Sequence, residues 1–206
     1  MPSEQEYLKT FQAKYRQYQQ MLQARLTEKR YYHSLCVAAE ALRLALKYGA
    51  NPEQAYLAGL LHDTTKDNSL DEQLQFFKQF GIITSKLEKN APKLWHAMTG
   101  AAYVQQVLGV KDPAVVSAIR YHTTARAGMA LLEKIIYLAD FTSKDRDYPG
   151  VAQMRAAVDV SLKTAMYEAL DFSVKDLQAS GRAVHPDTLA AYQEYCSPEM
   201  PDDQKK

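Results

Sequence analysis

Apolar and aromatic residues recur every three or four positions along most of the chain, a spacing that places them on one face of an α-helix. The first such stripe consists of Tyr7, Phe11, Tyr15, Tyr18 and Leu22. It predicts one amphipathic N-terminal helix within residues 1–26. No segment shows the strict apolar and polar alternation that is typical of a half-buried strand.

Capping residues divide the rest of the pattern into further helices. A second helix is expected from about Thr27 to Tyr48, because Gly49 is a typical residue just beyond a helix C-terminus. The segment NPE at 51–53 then combines an Asn cap, Pro at the first helical position and an acid in the first turn. Later stretches predict shorter helices and one long helix from about Val151 towards Ser180.

These elements predict an all-α fold, a helical bundle, and the length of 206 residues suits one substantial core. A single domain over 1–196 accounts for the pattern. It would contain the N-terminal helix over 1–26, a core over 27–148 and C-terminal helices over 149–196. Residues 197–206 are expected to form a disordered tail.

The composition argues against several classes of function. Lys and Arg total 25 against 24 Asp and Glu, so the net charge of +1 favours neither nucleic acid nor a membrane surface as a partner. No segment approaches the roughly 20 apolar residues that span a bilayer, and the N-terminus has no signal-peptide pattern. Cys36 and Cys196 provide neither a disulfide framework nor a metal-binding spacing. We therefore expect a cytoplasmic protein.

The segment AGLLHDTTKD, residues 58–67, ends an apolar helical run with a histidine and an aspartate. Other polar residues share this placement within or at the end of apolar helices. The full set is His33, His62, Asp63, His96, His122 and Asp140. Any one of them alone is more simply explained as a hydrogen-bonded core residue. Burying all six requires mutual partners, because each unpaired group costs about 1–3 kcal/mol.

A metal centre would supply those partners, since metal ions bind neutral imidazoles and carboxylates. Adjacent helical residues diverge by about 100°, so His62 and Asp63 can face one point only at a helix end. The two oxygens of Asp63 would let it bridge two ions. The sequence therefore predicts a metal centre formed by all six residues.

The order of these residues resembles the HD-domain phosphohydrolase signature: a lone His, an adjacent His-Asp pair and a late Asp, all on helices. The additional His96 and His122 resemble its two-metal branch. The segments TEKRYYHSLCV, AYLAGLLHDTTKD, AIRYHTTARAGMALLEKIIYLAD and RDYPGV look like the bacterial YqeK-type HD hydrolases, over roughly residues 20–170. Enzymes of that family cleave diadenosine tetraphosphate symmetrically into two ADP.

The resemblance implies an HD-type helical fold, a nucleotide substrate and two divalent metal ions, usually described as iron. Manganese, cobalt and zinc suit the same ligands. His33, His62, Asp63 and Asp140 would form the first ligand set, with Asp63 bridging, and His96 and His122 would complete the shell of the second ion. The residues expected to contact substrate are Arg30, Lys66, Thr124, Arg126 and Arg146. The expected catalytic residues are Asp63, Lys66 and Asp67, and Asp67 would either position the attacking water or pair with Lys66.

Three departures from the family pattern bear on substrate choice rather than on metal ligands. Gly is usual where Ala125 stands, and a positive φ there would shift Arg126. HGPVGA is usual around His96, where this chain has HAMTGA. An Ile-Glu-Pro stretch is usual at 142–144, where this chain has Thr-Ser-Lys.

Two other functions remain open from the sequence. One is a different HD-domain phosphohydrolase, such as a nucleoside monophosphate phosphatase or a cyclic-nucleotide phosphodiesterase. The other is an HD protein that binds nucleotide without turnover. The oligomeric state also remains open, a homodimer included.

Overall fold

The computed structural model describes residues 2–196 and contains helices and loops, with no strand in that range. The helices are α1 (Glu4–Lys14), α2 (Arg16–Arg25), α3 (Glu28–Tyr48), α4 (Pro52–Leu61), α5 (Leu70–Phe80), α6 (Lys86–Lys89), α7 (Trp95–Gln106), α8 (Pro113–Tyr121), α9 (Leu131–Thr142), α10 (Val151–Val160), α11 (Leu162–Ala179) and α12 (Pro186–Cys196). Pro92–Leu94 forms a 3-10 turn before α7. None of the described helices is long and apolar enough to cross a membrane. The predicted all-α class is confirmed, whereas the expected tail at 197–206 lies outside the described residues.

Local capping signals define the two helices that carry the first half of the metal cluster. The Thr27 hydroxyl accepts the N–H of Arg30 at the start of α3, and Gly49 ends that helix at φ +77°. The Asn51 side chain accepts two N–H groups of the first turn of α4, which begins at Pro52. The predicted ends of α3 and the predicted start of α4 are therefore confirmed.

Two helices that the pattern predicted as continuous are each broken. The chain turns at Tyr15 between α1 and α2, where the tyrosine hydroxyl donates to Glu53 at 2.5 Å and the ring stacks on Tyr56. It turns again at Ser161, whose hydroxyl accepts the N–H of Thr164 and caps α11. Both predictions of a continuous helix were wrong, because packing onto α4 and a new N-cap interrupt the helices there.

One apolar core contains buried residues from Phe11 to Tyr195. Within it α3 packs against α4 and α9, and α8 packs against α4, α7 and α9. These are the helices that carry the predicted metal ligands, so the packing of the core also brings the ligands together. The division into one domain over 1–196 stays a prediction.

Helices α3 and α4 approach each other closely at Gly59. A Cβ atom there would lie 2.9 Å from Ala38 Cα and 3.0 Å from the Val37 carbonyl oxygen, closer than side chains come in proteins. This contact sets the end of α4 against α3. The rings of His33 and His62 consequently stand with their centroids 5.2 Å apart.

We expect Gly59→Ala to lower the free energy of unfolding by about 1–3 kcal/mol, because the methyl group must push α4 away from α3. Thermal unfolding followed by circular dichroism measures the effect. Gly100→Ala is the matched control, since a Cβ in that helix would meet its nearest neighbour, the Thr65 hydroxyl oxygen, only at 3.4 Å and Ala is the better helix former. Equal melting temperatures for the two variants would contradict the close packing at Gly59.

Candidate metal centre

Two of the histidines close helices, and the backbone fixes the orientation of their rings. His62 follows the last turn of α4 and His122 follows that of α8. Each Nδ1 lies 2.7 Å from the carbonyl oxygen three residues earlier, that of Gly59 or Ile119. A neutral imidazole that donates from Nδ1 presents the lone pair of Nε2 to the opposite side. The centroids of the two rings lie 5.0 Å apart, so the two imidazoles border the same space.

Asp63 is buried at the centre of that space. Its Oδ1 lies 3.2 Å from His96 Nε2 and 3.7 Å from His122 Nε2. Its Oδ2 lies 3.4 Å from His62 Nε2 and 4.0 Å from His33 Nε2. Each carboxylate oxygen therefore faces a different pair of imidazoles.

Asp140 adds a second carboxylate from α9. Its Oδ1 lies 2.9 Å from His33 Nε2 and 3.9 Å from His62 Nε2. The Arg146 guanidinium donates to the same oxygen and also to the Asp140 carbonyl oxygen. Asp140 therefore connects the His33 side of the cluster to an arginine.

The electrostatic environment favours the protonation states that bind cations. Burial would raise the pKa of Asp63, but the adjacent imidazoles of His62 and His122 hold that pKa well below its usual value. Burial lowers the pKa of His62 and lowers that of His96 further. Carboxylates and neutral imidazoles are the ligands that divalent transition metals use in proteins.

Two atoms of the cluster are left without a hydrogen-bond partner among the described residues. They are His62 Nε2 and Asp63 Oδ1, and both are fully buried. Such atoms cost about 1–3 kcal/mol each when unsatisfied, and a metal ion would satisfy both. The six predicted residues form three overlapping groups. Within each group the ligand atoms lie within 4.8 Å of one another. The donor set therefore fits a divalent-metal centre.

Three of the cationic residues expected to contact phosphate lie against this cluster. Arg30 Nη1 lies 2.7 Å from Asp63 Oδ2. The Lys66 ammonium lies 3.1 Å from His96 Nε2, the imidazole nitrogen that faces the other oxygen of Asp63. Arg146 binds Asp140 and lies 3.3 Å from His33 Nε2. Three cations thus lie beside the carboxylates and imidazoles of the cluster, a placement suited to a polyanionic ligand.

Comparison with known proteins agrees with this chemistry. The HD domain family matches residues 30–145, a range that contains all six residues of the cluster. A Bacillus subtilis protein named bis(5'-nucleosyl)-tetraphosphatase, symmetrical, is 38% identical over 81% of this chain and 89% of its own length. A Staphylococcus aureus relative of the same name is 34% identical, over 87% of this chain and 94% of its own.

A solved structure resembles the fold as well. It is described as a "predicted HD superfamily hydrolase involved in NAD metabolism" from Clostridium acetobutylicum. The match has a TM-score of 0.85 and 34% identity, and it covers 88% of this chain and 96% of that one. This chain belongs to the HD-domain family, among the symmetrical bis(5'-nucleosyl)-tetraphosphatases. The family resemblance inferred from the sequence is confirmed, and the HD domain implies the use of divalent metal.

Arg126 has partners outside the cluster in this HD domain. Its guanidinium bonds Glu133 through two nitrogens, at 2.9 and 3.1 Å, and lies over the ring of Tyr121. The preceding Ala125 has φ +55°, the left-handed conformation that was expected to displace the arginine. The structure therefore does not place Arg126 as a phosphate contact, and its pairing with Glu133 gives the physical reason.

Asp67 is also engaged elsewhere, since its Oδ2 accepts both the N–H and the hydroxyl of Thr27, at 2.8 and 2.9 Å. This exposed carboxylate caps α3, so neither the catalytic role nor the pairing with Lys66 follows from its contacts. The Thr124 hydroxyl donates to the Ala125 carbonyl oxygen and is buried. Neither residue is brought to the cluster by these contacts.

The hydroxyl of the neighbouring Thr123 lies beside the cluster, whereas that of Thr124 does not contact it. The Thr123 hydroxyl oxygen lies 3.3 Å from His96 Nε2. The run of two threonines after His122 did not indicate which hydroxyl would face the cluster. The turn that follows α8 decides this, because it points one hydroxyl towards His96 and turns the other into the backbone.

Asp145 is a further cluster contact that the sequence did not reveal. Its Oδ2 lies 2.8 Å from His33 Nδ1, and its Oδ1 accepts the Ser143 hydroxyl at 2.8 Å. Burial would raise the pKa of Asp145, but the contacts with His33 and Ser143 lower it to about 2. A carboxylate on Nδ1 fixes the tautomer that presents Nε2 to a metal. Asp147 lies in the same loop, and the sequence does not indicate which of the two aspartates contacts His33.

We expect Asp145→Ala to weaken metal affinity about 10- to 100-fold, because His33 would lose the group that orients its ring. The metal affinity of Asp145→Asn should lie between those of Asp145→Ala and the parent protein, since its amide oxygen can still accept a hydrogen bond from His33 Nδ1. Metal release against a competing chelator measures the affinity without reference to activity. Asp147→Ala, an exposed aspartate two residues away, should leave it unchanged. Unaltered affinity in Asp145→Ala would rule out the orienting role.

Proposed function

We propose that this protein hydrolyses diadenosine tetraphosphate symmetrically to two molecules of ADP in a metal-dependent reaction. The observation that carries the proposal is the buried Asp63, with one oxygen towards His96 and His122 and the other towards His33 and His62. It occurs in a chain that matches symmetrical tetraphosphatases over most of its length. Cleavage of a phosphoanhydride needs an active nucleophile and cations for the phosphate charge, and this cluster suits both requirements.

The proposed centre would hold two divalent ions. The residues that would hold them are His33, His62, Asp63, His96, His122 and Asp140, with Asp63 shared between the two. When bound, such ions supply a water nucleophile at neutral pH and a Lewis acid for a phosphoryl oxygen. Iron is the metal proposed from the family resemblance, and manganese, cobalt and zinc would suit the same ligands.

The cations around the cluster would bind and orient the polyphosphate. Arg30 and Arg146 stand on the side of His33, where planar guanidinium groups can bind phosphate oxygens through two donors. Each donates to a carboxylate of the cluster, which holds both guanidinium groups beside it. Lys66 stands on the side of His96 and would contribute a point charge to the opposite part of the chain of phosphates.

The product pattern tests the proposed reaction directly. Protein purified anaerobically and loaded with iron is incubated with diadenosine tetraphosphate, and the nucleotides are separated by chromatography. We expect ADP as the only product, because hydrolysis at the central anhydride divides the molecule equally. AMP together with ATP would refute symmetric cleavage. Release of inorganic phosphate from a nucleoside monophosphate, or opening of a cyclic nucleotide, without ADP formation would instead support another HD-domain activity.

Two substitutions separate metal binding from phosphate binding. Asp63→Ala should lose both metal and activity, since its carboxylate would serve both ions. Lys66→Ala should keep the metal and lower the turnover rate by about 10²-fold, the usual effect of removing a group that stabilises charge in the transition state. Metal content by elemental analysis and the rate of ADP formation are the two measurements.

Lys78→Ala, an exposed lysine of α5, is the control for loss of a positive charge. Full metal occupancy in Asp63→Ala would contradict its place as a shared ligand. Loss of metal from Lys66→Ala would show that this lysine supports the cluster rather than the substrate.

A further inference from the structure

A cavity of about 770 Å³ adjoins the cluster, and none of the six proposed ligands lines it. Its walls come from α6, the turn Pro92–Leu94, the C-terminal part of α11 and the segment that enters α12. The volume falls within the range of about 300–1,000 Å³ that is usual for small-molecule sites. The cavity is therefore large enough to hold a substantial part of a nucleotide.

The wall formed by α6 is held in place by contacts from other helices. The Trp95 indole N–H donates to the Glu88 carbonyl oxygen at 2.6 Å, and Arg120 lies 3.2 Å from the Glu88 carboxylate. On the facing wall, His185 Nδ1 accepts the N–H of Asp187 at the start of α12. These contacts hold the walls of the cavity in place.

Thr123 connects this cavity to the cluster. It lines the cavity, and its hydroxyl oxygen lies 3.3 Å from His96 Nε2, which in turn lies 3.2 Å from Asp63 Oδ1. Arg30 binds the other oxygen of Asp63. The cavity therefore reaches the cluster at His96, which faces Asp63 Oδ1, whereas Arg30 binds Asp63 Oδ2.

The chemistry of the walls suits a flat apolar group that carries negative charge. Leu87, Leu94 and Leu177 contribute apolar surface, and Lys86 and Lys93 lie at the exposed rim. No aspartate or glutamate of the described chain lines the cavity. A purine can pack against such leucines while the lysines attract phosphate, so the lining favours a nucleotide over a cationic or fully apolar ligand.

Building on the proposed function, we propose that this cavity holds the nucleoside and adjacent phosphate of one ADP half of the substrate. The other half would extend from the cluster along Arg30 and Arg146. Symmetric cleavage requires this kind of division, because the central anhydride must lie at the cluster with one nucleoside diphosphate on each side. The cavity would bind the ADP half that lies on the side of Thr123.

The test fills the cavity without altering the cluster. Ala183→Trp and Ala91→Trp each enlarge a small side chain on its lining, and Ala179→Trp changes an exposed residue of α11 outside it. For each metal-loaded variant, KM for diadenosine tetraphosphate, ADP binding by calorimetry, metal content and circular dichroism are compared with the parent protein. We expect either cavity variant to raise KM and weaken ADP binding by roughly tenfold or more, since the added ring takes the place of the nucleoside.

The control should keep the parent KM and ADP affinity, and all variants should keep the parent metal content and helical spectrum. Unchanged ADP binding in both cavity variants would overturn the cavity assignment, as would an absence of ADP binding to the parent protein. An equal loss in the Ala179→Trp control would also overturn it. Failure of the proposed function is a separate result: the parent protein would then form no ADP from the tetraphosphate, whatever the cavity variants do.

Discussion

The burial of the Asp63 carboxylate is the constraint on which the rest of the centre depends. A carboxylate taken out of water is strongly disfavoured unless charges or hydrogen bonds replace its hydration. Here four imidazoles surround it at 3.2–4.0 Å, and Arg30 donates to one oxygen. Those imidazoles come from α3, α7 and the ends of α4 and α8. The cluster can therefore form only when these helices are packed in one arrangement.

Hydrogen bonds at two helix ends orient two of the proposed ligands. His62 and His122 each donate from Nδ1 to a carbonyl oxygen of their own last turn. Those carbonyl oxygens have no partner within the helix, so the imidazole satisfies the helix end while its other nitrogen faces the cluster. Gly59 has two roles in this arrangement. Its carbonyl oxygen accepts the hydrogen bond of His62 Nδ1, and its lack of a side chain lets α3 approach α4. Packing and ligand geometry are thus set by the same turn.

The surroundings of the cluster differ between its two sides. On one side Arg30 and Arg146 bind the carboxylates of Asp63 and Asp140. On the other side Lys66 and Thr123 lie beside His96, and the cavity opens beyond Thr123. A dinucleotide with chemically equal halves would meet unequal surfaces. This arrangement is consistent with a substrate that binds in an extended form across the cluster.

The sequence alone determined the helical class, the ends of α3, the start of α4 and the six residues of the cluster. These depend on local signals: apolar spacing, capping residues, and polar groups that interrupt apolar helices and need partners when buried. The break at Tyr15, the contact of Asp145 with His33 and the placement of Thr123 rather than Thr124 beside His96 depended on tertiary structure. The Ser161 cap and the pairing of Arg126 with Glu133 are local contacts that the apolar spacing did not reveal. Asp145 and Asp147, like Thr123 and Thr124, are similar residues in one loop or turn. Distant helices decided between them, because His33 of α3 and His96 of α7 determine which side chain finds a partner, just as α4 determines the break at Tyr15.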